Sequence, residues 1–180
     1  MTDIIVLPGI GGSGETHWQT RWEDADPRMR RFAPASWDHP VLADWIAALD
    51  TAIDAGEPRP LLLAHSLACL LVAHWQRVSS RAIAGACLVA VPDPDSAAFP
   101  AEAAAFTQPP DNRFGFPSLV VASSDDPYAG LPHVHARAAQ WGSAVVEVGA
   151  RGHINGSSGL ADWREGRNLL TAFMAGIRTR

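Results

Sequence analysis

Ser66 ends a short apolar run, Leu61-Leu62-Leu63-Ala64-His65, and an apolar helical pattern starts directly after it with Leu67-Ala68-Cys69-Leu70-Leu71. Ala64 and Ala68 stand two before and two after the serine. A sharp strand-to-helix turn needs small residues at these offsets, because its backbone is strained and the chain crowds itself there. Such a turn presents the serine hydroxyl as a nucleophile. A hydroxyl is a weak nucleophile at neutral pH, so it needs a general base, a group that orients the base, and donors for an oxyanion. On a parallel sheet these groups collect at the carboxyl ends of strands, in the chain order serine, acid, histidine.

Both partners are found downstream. The apolar run Ser118–Ala122 leads into Ser123-Ser124-Asp125-Asp126-Pro127-Tyr128, and residues 144–148 lead into Gly149-Ala150-Arg151-Gly152-His153-Ile154-Asn155. Gly152 permits a tight turn that brings His153 over the sheet. His153 would take the proton from Ser66 Oγ, and an aspartate would hold the imidazole in the right tautomer. Asp126 is favoured over Asp125, because the following proline biases it toward extended backbone where the chain leaves the strand. The neighbour would then cap the loop or face solvent. Asp93, between two prolines after the run at 85–91, is a third candidate. For the oxyanion, one N–H should come from Leu67 and the other from the loop Pro8-Gly9-Ile10-Gly11-Gly12, with Ile10 first and Gly11 second.

The remaining candidates have plainer readings. His65 reads as a packing or hydrogen-bonding residue whose side chain leaves on the other side of the turn, and His74 as structural. His133 and His135 lack further ligands at metal-binding spacing. His17 and His39, each near a tryptophan, could line a cleft or simply pack. The aromatic candidates for cleft walls are Trp18, Trp37, Phe99, Phe106 and Tyr128. Cys69 and Cys87 read as buried, reduced core thiols. All 14 basic residues are arginine, so a Schiff-base lysine, a phosphate-loop lysine and a serine–lysine dyad are excluded. The glycine-rich loop also lacks the dinucleotide-binding spacing. No cofactor and no metal is expected.

These groups must be held by a scaffold, and the pattern supplies one. Strand-like runs at Ile4–Leu7, 31–35, 60–64, 85–91, Ser118–Ala122 and 144–148 alternate with helical stretches. The helices are expected around Trp18 and Trp22, over 41–55, from Leu67 to about Val78, over Leu131–Trp141, and in a closing stretch carrying Trp163, Leu170, Phe173, Met174 and Ile177. This alternation argues for an α/β fold with a mostly parallel central sheet flanked by helices. Residues 92–116 should be surface loop and short helix, forming a small cover. At 180 residues and 47% hydrophobic composition, one domain over 1–180 is expected. The net charge of −5 gives no footprint for nucleic acid or an anionic membrane. The start of the chain lacks a basic region and a cleavage site, so a cytoplasmic location is expected.

With these positions in hand, the chain resembles the small α/β-hydrolases of the YdeN-like and retinoblastoma-binding serine hydrolase family. The resemblance rests on Leu7-Pro8-Gly9 with its glycine-rich loop, His17-Trp18-Gln19-x-x-Trp22, Ala64-His65-Ser66-Leu67, Ser124-Asp125-Asp126-Pro127-Tyr128 and Gly152-His153-Ile154-Asn155. It implies a compact α/β-hydrolase fold without a large lid domain, and it supports Asp126, the aspartate directly before proline, as the acid. Ala68 departs from the family's usual glycine. The implied activity is cofactor-independent serine hydrolysis, as a carboxylesterase on small acyl substrates. The alternatives are an interaction protein on a hydrolase scaffold, and an aminopeptidase or acyltransferase using the same three residues. The expected partner is a small-molecule acyl substrate. A protein partner is allowed but not indicated.

Overall fold

Alternating side chains along the strands set the architecture. The computed structural model describes residues 2–177, so residue 1 and residues 178–180 of the expected domain lie outside the described residues. The strands are β1 Ile4–Leu7, β2 Met29–Arg31, β3 Leu61–His65, β4 Gly85–Val89, β5 Ser118–Ala122 and β6 Ala144–Glu147. All pair in parallel, in the order β2-β1-β3-β4-β5-β6. The helices are α1 Trp18–Ala25, α2 Leu42–Asp54, α3 Leu67–Val78, α4 Leu131–Trp141 and α5 Arg164–Ile177.

Each strand sends alternate residues to opposite faces. Ile5, Leu7, Leu62, Leu88 and Val120 join α2, α3 and α4 through Trp45, Leu49, Leu70 and Trp141. Ile4, Val6, Leu63, Cys87 and Val121 face α1 and α5, where Trp18, Trp22, Leu170 and Met174 cover them. Both faces of β1, β3 and β4 are therefore apolar, which is why these strands read as continuous hydrophobic runs. Trp163, just ahead of α5, completes an indole cluster, with ring centroids 5.0 Å from Trp18 and 5.9 Å from Trp22. No helix among the described residues is long and apolar enough to cross a membrane.

Two expectations need correction. The second strand covers Met29–Arg31 rather than 31–35. Met29 supplies its buried residue, and Phe32 makes one more bond, its N–H donating to the Val6 carbonyl at 3.1 Å. Pro34, without an N–H, could not have continued the ladder. Residues 92–116 are not wholly surface. A short 3-10 turn at Ala101–Phe106 buries Ala103 and Phe106 in the core beside Trp45.

Candidate active site

Because every strand runs the same way, the loops after β1, β3, β5 and β6 meet on one rim of the sheet. The turn after β3 carries Ser66 at φ +55° and ψ −125°, in a region that non-glycine residues avoid. Its N–H donates to the Val89 carbonyl at 2.9 Å, which ties the turn to β4. Gly9 is the reason the first loop can pass so close. A Cβ there would lie 2.9 Å from Ser66 Cβ and 3.2 Å from the His65 carbonyl oxygen.

The three residues picked from strand ends are in contact. Ser66 Oγ lies 2.8 Å from His153 Nε2. His153 Nδ1 is 2.9 Å from each oxygen of Asp126, so Nδ1–H donates to the carboxylate and Nε2 is left to accept from the hydroxyl. Both side chains are more than nine-tenths buried. Asp126 Oδ1 also receives the Tyr128 N–H at 2.9 Å, and the Tyr128 ring packs on His153 at 4.4 Å. Asp125 points elsewhere. It accepts from the Ser123 hydroxyl at 2.8 Å and from the Gly152 N–H at 2.7 Å, and these bonds hold its carboxyl below the usual range. It caps the loop that carries the histidine. Asp93 does not line the cavity beside Ser66 and pairs with His133 at 3.2 Å.

Ile10 and Leu67 both line the cavity beside Ser66. Neither N–H has a partner among the described residues, and Leu67 is the first residue of a 12-residue helix, where an N–H has no intrahelical acceptor. Gly11, the second choice, donates to the Trp37 carbonyl at 3.3 Å. The cavity measures about 340 Å³ and mixes apolar walls from Ile10, Phe99, Pro100 and Tyr128 with polar ones from Thr16 and Asn155. No aspartate, glutamate or arginine of the described residues lines it. Of the proposed aromatic wall, Phe99 and Tyr128 are present, while Trp18, Trp37 and Phe106 belong to the core clusters. His17 lines the cavity, whereas His39 is exposed.

His17 caps α1, its Nδ1 accepting the Gln19 N–H at 3.2 Å, and burial with nearby Arg31 and His153 pushes its pKa down to about 4. His65 is buried, and this burial holds its pKa well below the usual range. His74 reaches the Phe106 carbonyl at 3.3 Å, and His135 pairs with Glu147 at 2.7 Å. Burial also raises both thiols, that of Cys87 to about 12.

Two supporting residues went unread at the level of sequence. Gln19 is fully buried; its Nε2 donates to the Leu7 and Leu63 carbonyls, and its Oε1 accepts from Ser13 Oγ. It therefore ties the first loop to the ends of β1 and β3. Arg31, from the edge strand, donates to the Gly12 and Ser13 carbonyls. The available signal was a polar glutamine between Trp18 and Trp22 in an otherwise aromatic helix start.

The profile of the serine hydrolase family matches residues 4–172. Among solved structures, a protein described as a YdeN-like hydrolase from Pectobacterium atrosepticum is 26% identical, with 98% of this chain and 92% of that chain covered and a TM-score of 0.87. The ydeN gene product of B. subtilis is 21% identical, with 97% and 100% covered and a TM-score of 0.77. Est1E from Butyrivibrio proteoclasticus shares the fold at 11% identity, with 99% and 89% covered and a TM-score of 0.73. No curated protein sequence matches the chain.

Proposed function

The chain belongs to the serine hydrolase family and is a hydrolase, and we propose that it cleaves neutral carboxylic esters of small acyl groups through an acyl-enzyme on Ser66. The observation that carries the reading is the unbroken chain from Ser66 Oγ through His153 to Asp126, with bonds of 2.8 and 2.9 Å, at the floor of a cavity.

In this mechanism Ser66 Oγ attacks the ester carbonyl carbon while His153 Nε2 takes its proton. The carbonyl oxygen becomes an oxyanion and is received by the Ile10 and Leu67 N–H groups. The carbon–oxygen bond to the alcohol breaks, and His153 returns the proton to the leaving oxygen. Water then repeats the sequence on the acyl-enzyme and releases the acid. Asp126 keeps the imidazole oriented and stabilises its charged form throughout.

A neutral substrate is supported by the wall chemistry. An aminopeptidase would need a carboxylate to receive the substrate ammonium, and no acidic side chain of the described residues lines the cavity. A volume of about 340 Å³ suits a short acyl group with a compact alcohol.

The test is fluorophosphonate labelling together with turnover of p-nitrophenyl acetate and butyrate. Wild-type protein should label and turn over both esters. Ser66→Ala should lose the label and about 10³-fold or more in kcat. Labelling that persists in Ser66→Ala, or a wild type inert to probe and esters, refutes the reading. Product analysis with added alcohols separates hydrolysis from acyl transfer.

A further inference from the structure

His153 sits in a backbone segment that the local sequence does not favour. Gly152 has φ +55° and Ile154 has φ +48°. For a β-branched residue the second value is a genuine outlier, and it persists only where the surroundings over-determine it. The two consecutive carbonyls of this segment are held by buried donors from other elements. His65 Nε2 lies 2.9 Å from the His153 carbonyl oxygen. A carbonyl only accepts, so His65 donates and is fixed as the Nε2–H tautomer. Trp18 Nε1–H donates to the Ile154 carbonyl at 2.7 Å. Both donors are at least 95% buried, and Ile154 is fully enclosed.

We propose that His65 and Trp18 form a clamp that positions the general base, His65 holding the His153 peptide and Trp18 the next one. His65 is the residue directly before Ser66. Its bond therefore fastens the segment carrying the base to the turn carrying the nucleophile, across 88 positions of sequence. The 2.8 Å approach of Ser66 Oγ to His153 Nε2 is then set by main-chain anchors, before substrate arrives. The His17 ring, 4.7 Å away and nearly perpendicular, fills the space behind His65. This role rests on the hydrolase reading for its kinetic consequence, but not for its structural one.

The test compares His65→Leu, which removes the donor, His65→Gln, which keeps an N–H donor, and Trp18→Phe. In folded protein, His65→Leu should lower kcat and the fluorophosphonate labelling rate about 100-fold, with KM within about threefold. His65→Gln should recover to within about tenfold of wild type, and Trp18→Phe should fall about tenfold. Amide hydrogen exchange at residues 152–155 should quicken at least about tenfold in His65→Leu, relative to the rest of the sheet. A merely structural role would lower Tm and leave labelling of the folded protein unchanged. Wild-type labelling in either folded donor-deleted variant overturns the clamp, as does unchanged exchange at 152–155. Should His65→Leu not fold, Trp18→Phe carries both measurements. Faster exchange in a protein whose wild type neither labels nor turns over esters would refute the hydrolase reading and retain the clamp.

Discussion

His17 makes the fold sensitive to acid in a way that can be measured. Its Nδ1 already accepts the Gln19 N–H, and its Nε2 is buried without a partner among the described residues. Burial disfavours the charged ring, and nearby Arg31 and His153 disfavour it further, so its pKa falls from 6.5 to about 4. A histidine with a depressed folded pKa binds its proton more readily in the unfolded chain. Its neutral form therefore supports the fold fully above pH 6.5, and this support is lost as pH falls from 6.5 toward 4. Between pH 8 and pH 5 the loss from this residue alone is about 2 kcal/mol. With a urea slope of about 2 kcal/mol/M, the unfolding midpoint should drop by about 1 M. His65 acts in the same direction, so wild-type protein should lose more than His17 alone accounts for. The perturbation is His17→Asn, which keeps an acceptor at the helix start. Asparagine fills less space, so the variant starts less stable, but its midpoint should fall about 1 M less than the wild type's over this pH range. Parallel curves for the two proteins would refute the claim that the fold holds His17 neutral.

Two further outcomes separate residues that the sequence left side by side or silent. Asp126→Asn should lower kcat about 10³–10⁴-fold by releasing the imidazole from its tautomer, whereas Asp125→Asn should stay within about tenfold. Equal losses in the two would undo the assignment. Gly9→Ala places a Cβ 2.9 Å from Ser66 Cβ, with backbone behind it. It should cost about 1–3 kcal/mol of stability in thermal or urea unfolding. It should also cut kcat about tenfold or more, by displacing Ser66 Oγ from His153. A fully active, fully stable variant would mean that the first loop can move aside.

The order of strands and helices was readable because the inner strands are buried on both faces and each is followed by turn residues. Ser66, Asp126 and His153 could be singled out for the same reason: each follows a strand end by a few positions. Their contact in space follows from a parallel sheet, which puts all those ends on one rim. The edge strand was harder. Arg30 and Arg31 hid the ladder at Met29–Arg31, whose pairing comes from β1 rather than from its own pattern. Phe106 was unreadable as core because its burial depends on α3 and Trp45, elements far away in sequence. His65 read as packing or hydrogen-bonding, and only its distance to the His153 carbonyl identifies the partner. Gln19 has its partners on two strands and a loop, none of them visible from its own neighbourhood.

The indole cluster has an optical consequence. Trp18 lies 4.5 Å from Trp22 and 5.0 Å from Trp163, with ring planes inclined at 57° and 59°. Chromophores this close and this tilted couple their electronic transitions, and the fixed packing that orients them is what near-ultraviolet circular dichroism detects. Trp18 is bonded to the peptide next to His153. The protein thus carries an intrinsic, label-free reporter of its own His153 loop. Loosening of that loop should change the aromatic dichroism even while the far-ultraviolet signal of the helices stays constant.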